Sequence, residues 1–269
     1  MRLPHGRSHF VMVGDVCLHV REDGAGSGPT FVYLNSLGSD MRIWDGVAAA
    51  LPGRHLRHDA RGHGLSSAPE GPYTIRQLAD ELRALLALSS ATRVVLVGIS
   101  VGGLVALRAA LEWPELVSAM VVCDSAARIG SEESWNQRID AVEKDGLAAV
   151  APGVVERWFS PGFVDREPAV FAGYRHMLER TTPHGYAATC AALRDEDLRG
   201  SLDRIEVPTL VLCGSDDQAT PPELSLELAE ALPNGRYQEI AGAGHLPCLE
   251  RPAVMARAIE GFLEEVGDG

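Results

Sequence analysis

A serine hydroxyl is a weak nucleophile at neutral pH, so a catalytic serine needs a base, an acid that orients the base, and N–H groups for the developing charge. Ser100 stands where these could converge. It lies in Gly98-Ile99-Ser100-Val101-Gly102, followed by Gly103, between the apolar run Arg93-Val94-Val95-Leu96-Val97 and a helical pattern from Gly103 to Leu111. A serine in a sharp strand-to-helix turn has its Oγ lifted clear of the backbone, and its neighbours two residues away must be small for strand and helix to pack. The N–H of Val101 would then face an oxyanion. The bland alternative is a glycine-rich turn with an incidental serine. The flanking strand and helix argue against it.

Such a turn goes with the chain order serine, acid, histidine. The base is expected to be His245, in the glycine-rich loop Ala241-Gly242-Ala243-Gly244-His245-Leu246-Pro247 near the C-terminus. The other histidines all precede it. His63 reads as a turn residue, His5 and His9 as part of a mobile terminus, and His55 and His58 as flanking a strand. His176 and His184 fall in a helical stretch that could touch substrate. For the acid, Gly214-Ser215-Asp216-Asp217 follows an apolar strand, and the spacing common in folds built on such a turn, three residues after the glycine, selects Asp217. Asp216 would be a solvated neighbour. Asp124, directly after the strand ending at Cys123, is a further candidate, and each could instead cap a turn. A second oxyanion donor is expected from the loop Asn35-Ser36-Leu37-Gly38-Ser39, at the N–H of Leu37.

The elements that must position these residues alternate. Phe10 to Val20 reads as a hairpin turning at Gly14-Asp15, and Thr30–Leu34, His55–Asp59, 93–97, 119–123, 209–213 and 236–240 as strands. Helices are expected over 73–88 with Thr74 as N-cap, and over 103–111, 223–232 and about 253–265. Strands alternating with helices imply a mostly parallel sheet covered on both faces, with ligands at its carboxyl edge. From 127 to 200 strands vanish, and aromatic residues gather between Pro and Gly. The expected division is therefore a core of residues 1–126 and 201–269 with a helical cap of residues 127–200.

Composition narrows the partners. With 269 residues, 46% hydrophobic and 23% charged, the chain suits one large domain. A net charge of −13 disfavours nucleic acid and anionic membranes. Lys144, the only lysine, sits in a polar stretch, which disfavours Schiff-base chemistry. Five cysteines without Cys-x-x-Cys suggest a reducing compartment, and with no signal-peptide core the cytoplasm is expected. The uncharged run 94–107 is too short to span a bilayer. No dinucleotide fingerprint or metal-ligand spacing is present, so neither cofactor nor metal is expected. A homo-oligomer stays open.

Over its whole length the sequence resembles the α/β-hydrolase superfamily, and more narrowly the 3-oxoadipate enol-lactonases. The residues that carry this are Leu34-Asn35-Ser36-Leu37-Gly38-Ser39-Asp40 with Trp44-Asp45, Asp59-Ala60-Arg61-Gly62-His63-Gly64-Leu65-Ser66, Gly71-Pro72-Tyr73-Thr74-Ile75 and the turn around Ser100. In the cap they are His184-Gly185-Tyr186-Ala187-Ala188 and Cys190-Ala191-Ala192-Leu193-Arg194-Asp195, and after the acid Ala219-Thr220-Pro221-Pro222. His58 and Ala60 depart slightly from the pattern. The resemblance implies an α/β-hydrolase fold, with a mostly parallel eight-stranded sheet flanked by helices and a helical cap insertion. It also implies a small-molecule lactone or ester substrate opened through an acyl-enzyme. That lactone bears a carboxylate, for which Arg128, Arg138, Arg157, Arg175 and Arg194 are candidate partners. Trp135 and Arg138, three apart and so on one face of a helix, are expected to bind substrate together with Asn35 and Ser36. A broad carboxylesterase and a non-catalytic ligand receptor of the same fold are the competing readings.

Overall fold

The computed structural model describes residues 6–25, 28–89, 91 and 93–267. Strands β1 (Ser8–Val13) and β2 (Val16–Ala25) form the expected hairpin, with Gly14 at φ 58° in its turn. Then come β3 (Thr30–Leu34), a 3₁₀ turn at Met41–Trp44 running into α1 (Asp45–Ala50), and β4 (Gly53–His58). Helix α2 (Ile75–Leu88) starts at Thr74, whose side chain accepts the Gln77 N–H. The centre of the chain is β5 (Val94–Ile99), α3 (Val101–Glu112) and β6 (Val117–Cys123).

Five helices follow without a strand: α4 (Glu132–Asp145), α5 (Leu147–Val155), α6 (Phe163–Arg166), α7 (Pro168–Glu179) and α8 (Pro183–Asp195). The chain ends with β7 (Thr209–Gly214), α9 (Pro222–Ala231), β8 (Gly235–Ile240), the single turn α10 (Pro247–Glu250) and α11 (Pro252–Val266).

The eight strands form one sheet in the order β1-β2-β4-β3-β5-β6-β7-β8, with every neighbouring pair from β4 onward parallel and the hairpin antiparallel. This is the α/β-hydrolase arrangement expected from the sequence. The central strands β5, β6 and β7 are buried along their whole length, because helices cover both faces. That explains why they read as continuous apolar runs rather than alternating ones.

Two placements differ from expectation. His9 is not in a mobile terminus but in β1, where it pairs with Val20; His5 lies outside the described residues. Helix α3 begins at Val101, not Gly103, because Gly102 and Gly103 are sites of close packing rather than a loop. A Cβ on Gly102 would sit 2.2 Å from the Leu34 carbonyl oxygen, and one on Gly103 2.6 Å from Ser125 Oγ. No described helix is long and apolar enough to cross a membrane.

Candidate active site

Ser100 occupies the junction of β5 and α3 with φ 56° and ψ −119°. Positive φ is uncommon for a residue with a side chain and stores strain. The flanking glycines permit it. A Cβ on Gly98 would meet the Gly102 carbonyl oxygen at 2.3 Å, so the strand end and the first helical turn touch directly. The Ser100 carbonyl accepts from Ser125 Oγ at 2.8 Å and from the Gly103 N–H at 2.9 Å, which holds the turn from both sides. Val101 is the first helical residue, so helix geometry supplies no intrahelical partner for its N–H.

The loop after β3 brings the other expected donor. Ser39 N–H closes a turn on the Ser36 carbonyl at 3.1 Å, and Gly38 takes φ 78°. Such a turn leaves the N–H of its second residue, Leu37, outside its own hydrogen bonding. Asn35 anchors the loop: its Nδ2 donates to the His58 carbonyl at 2.7 Å and its Oδ1 accepts from Trp44 Nε1 at 3.0 Å. Both ends of the amide are thus engaged, and Asn35 is absent from the lining of the cavity over Ser100, unlike Ser36 and Leu37.

His245 and Asp217 meet at the carboxyl edge of the sheet. His245 Nδ1 lies 2.8 Å from Asp217 Oδ2, with both side chains buried. Asp217 is held from several directions. Its Oδ1 accepts the N–H groups of Ala219 at 2.7 Å and Thr220 at 3.1 Å, and its Oδ2 accepts Thr220 Oγ1 at 2.8 Å. Burial alone would raise this carboxyl. The adjacent His245 and the hydrogen bonds outweigh it and keep Asp217 below the usual carboxylate range. Asp216 takes part through its backbone instead, its N–H donating to the Ala243 carbonyl at 2.9 Å.

The histidine loop is clamped by residues far away in sequence. Glu250 Oε1 accepts the N–H of Gly244 at 2.7 Å and of Ser160 at 3.0 Å, and Leu246 N–H donates to the Trp158 carbonyl at 3.1 Å. A Cβ on Gly244 would lie 2.6 Å from the backbone of Phe159. No sequence pattern announced Glu250 as support for the histidine loop, because its contact with Ser160 spans 90 residues, and Thr220, only three residues from Asp217, stood in a segment of the resemblance with no role attached to it.

Ser100 and His245 line a cavity of about 170 Å³. The helical segment supplies most of the remaining wall, including Ile129, Ser134, Trp135, Arg138, Arg157 and Tyr186. Trp135 Nε1 donates to the Ile129 carbonyl at 2.6 Å, so the indole offers ring surface rather than a donor. The Cβ of any side chain at Gly130 would meet that nitrogen at 2.8 Å. Arg138 Nη1 donates to Tyr186 OH at 3.1 Å. Arg157 Nε donates to the Gly153 carbonyl at 3.2 Å, and burial together with the neighbouring Arg138 charge pushes its guanidinium down.

Neither Arg138 nor Arg157 forms an ion pair with an acid among the described residues. The remaining candidates do: Arg128 with Asp197, Arg175 with Glu179, and Arg194 with Asp195. Neither His176 nor His184 lines the cavity, and His184 Nε2 lies 2.6 Å from the Ala68 carbonyl. His63 is a buried turn residue with Nδ1 at 3.0 Å from the Arg61 carbonyl. Among the described residues the fold assembles one group of three metal-capable side chains that spacing did not suggest. Asp124, Asp217 and His245 present ligand atoms within 4.8 Å of one another. Within that group His245 and Asp217 are already joined by a hydrogen bond.

Residues 16–258 match the alpha/beta hydrolase family. The 3-oxoadipate enol-lactonase 2 of Acinetobacter baylyi is 33% identical over 252 residues, covering 93% of this chain and 94% of that protein. The crystal structure of the enol-lactonase from Burkholderia xenovorans superimposes with a TM-score of 0.92 at 38% identity, over 95% of this chain and all of that one (100%). A thermophilic esterase from Thermogutta terrifontis gives a TM-score of 0.88 at 27% identity, over 97% and 99% of the two chains.

Proposed function

The chain belongs to the alpha/beta hydrolase family and is a carboxylic ester hydrolase, and we propose that it opens 3-oxoadipate enol-lactone to 3-oxoadipate through Ser100, His245 and Asp217. The observation that carries this substrate is the wall of the cavity. Two guanidinium groups without an acidic partner among the described residues line the same small space as Ser100 and His245. In a protein of net charge −13, arginines left unpaired at a cavity are a place for a substrate carboxylate. The names of the relatives support the same reading.

In this reading Ser100 Oγ attacks the lactone carbonyl while His245 takes its proton. Asp217 holds the imidazole in the required tautomer and balances the imidazolium. The N–H groups of Val101 and Leu37 stabilise the tetrahedral oxyanion. Collapse of that intermediate breaks the bond to the ring oxygen. The leaving group is an enolate, a better one than an alkoxide, and it becomes a ketone on protonation. Water activated by His245 then releases the acid and regenerates Ser100. Residues 127–200 act as the cap that shapes the pocket, and residues 1–126 and 201–269 as the catalytic core. Arg138 and Arg157 hold the carboxylate, and Trp135, Ser36 and Tyr186 shape the space beside it. Asn35 serves by anchoring the oxyanion loop.

A cavity of about 170 Å³ is small beside the ~300–1,000 Å³ of typical ligand sites, which favours a short lactone over a long acyl chain. The second reading, a broad esterase, is favoured by the likeness to the Thermogutta esterase. The test is turnover of the enol-lactone beside neutral aryl esters of increasing acyl length. Higher kcat/KM on the lactone is expected; a rise with acyl length would favour the broad esterase.

A further inference from the structure

Asp124 has a place in the site that the mechanism above does not use. It follows β6 as Asp217 follows β7, and the two strands are parallel neighbours, so both acids emerge at the same edge of the sheet. Asp124 is wholly buried and holds φ 45°, a strained conformation that Asp tolerates better than most residues. Its Oδ1 accepts the Gly214 N–H at 2.8 Å, fastening the end of β7 just ahead of the Asp217 loop. Its Oδ2 has no hydrogen-bond partner among the described residues. Yet a carboxylate oxygen of Asp124 lies within 4.8 Å of both Asp217 and His245. For fastening Gly214 alone an asparagine would serve, with the same oxygen, the same tolerance of positive φ and no buried carboxyl.

We propose that Asp124 is a second acid for His245, silent while Asp217 is present and able to balance the imidazolium when Asp217 is removed. The inference rests on the assignment of Ser100, His245 and Asp217 as the triad. The titratable groups facing Asp124 are Asp217, His245, the thiols of Cys123, Cys213 and Cys248, and, from β8, the phenol of Tyr237. Burial first, and the Asp217 charge second, push the Asp124 carboxyl well above the usual range, so beside an ionised Asp217 it keeps its proton. Two carboxylates at this distance do not both ionise readily. Removing the Asp217 charge removes that repulsion. Asp124 then releases its proton to solvent as pH rises, and its carboxylate faces the imidazolium formed when His245 takes the Ser100 proton.

The experiment measures kcat for a neutral aryl ester from pH 5 to 9 in Asp217→Ala, Asp124→Asn and the double variant, with thermal unfolding of each. Asp217→Ala is expected to lose about 10²-fold, less than the ~10⁴-fold seen when a triad acid is replaced without substitute. Its residual activity should rise with pH, because only ionised Asp124 can pair with His245. Adding Asp124→Asn should cost at least a further tenfold and shift that rise along the pH axis, and should cost more in this background than in the wild type. Equal activity of the single and double variants overturns the inference, as does a pH profile that Asp124→Asn leaves unchanged. Should Asp217→Ala fail to fold, Asp217→Ser carries the same comparison with a smaller void. Ser100→Ala separates the two claims: activity surviving it sinks the triad itself, whereas an inactive Ser100→Ala with an additive double variant sinks only the role of Asp124.

Discussion

At Ser100 a single oxygen atom carries the proposed chemistry, while the backbone around it carries the strain. Ser100→Ala is therefore expected to fold and to lose turnover by at least about 10³-fold, and a serine-reactive phosphonate should label Ser100 in the wild type, read by peptide mass spectrometry. Labelling at another serine would place the nucleophile elsewhere. Asp217→Asn should lower kcat by about 10³-fold or more, because an amide next to Nδ1 favours the wrong imidazole tautomer. Asp216→Asn, whose contribution is its backbone N–H to Ala243, should stay within about threefold of wild type in the same assay. Residues whose proposed role is local could be picked out from their neighbours: Ser100 from its glycines, and Asp217 from its spacing after Gly214. Glu250, Thr220 and Tyr186 could not. Glu250 and Tyr186 act through partners that the fold alone brings near, as Glu250 does across 90 residues to Ser160, whereas Thr220 lies three residues from Asp217 and its type alone did not mark it as a support.

Elements were legible where one physical signal dominated. Strands β5, β6 and β7 are buried on both faces and so are apolar throughout, and Thr74 caps α2 as its residue type suggests. The 3₁₀ turn and short helix over 41–50 left no clear periodic trace, being too short to repeat a face. Strand β4 was a weak expectation because it carries Arg54, His55, Arg57 and His58 inside the sheet. Those buried groups give this element a pH dependence. His58 Nδ1 has no partner among the described residues, and burial pushes its imidazole down to about 4, with His55 and His63 also lowered mainly by burial. A histidine with a depressed folded-state pKa is neutral when folded and binds a proton on unfolding. Stability is thus complete above about pH 6.5 and falls as pH drops toward 4. For His58 the loss amounts to about 3 kcal/mol. Asp217, held low in the folded state, adds to the loss at still lower pH as its carboxylate is protonated. Urea midpoints should fall between pH 7 and 4.5, and His58→Gln should flatten that dependence; an unchanged slope would mean that His58 is protonated in the folded protein.

At the scale of the whole molecule, the helical segment brings Arg138 and Arg157 over a site that the sheet edge builds. Fold class and the order of the three proposed catalytic residues could be read in advance. The pairing state of each arginine could not, since five candidates look alike in sequence and only packing shows which have acids beside them. An arginine held to a carboxylate by charge-assisted hydrogen bonds contributes on the order of 1.5–3 kcal/mol, or roughly tenfold to a hundredfold in kcat/KM. Arg138→Ala should erase much of that factor for an anionic substrate and spare a neutral aryl ester. Added salt should narrow the same gap, because Arg157 is exposed. The most direct measurement is kcat/KM for the enol-lactone carrying its free carboxylate and for its methyl ester, side by side in one buffer. The acid should be preferred by about tenfold to a hundredfold; equal values, or a preference for the ester, would contradict the assignment of this site to a small anionic lactone.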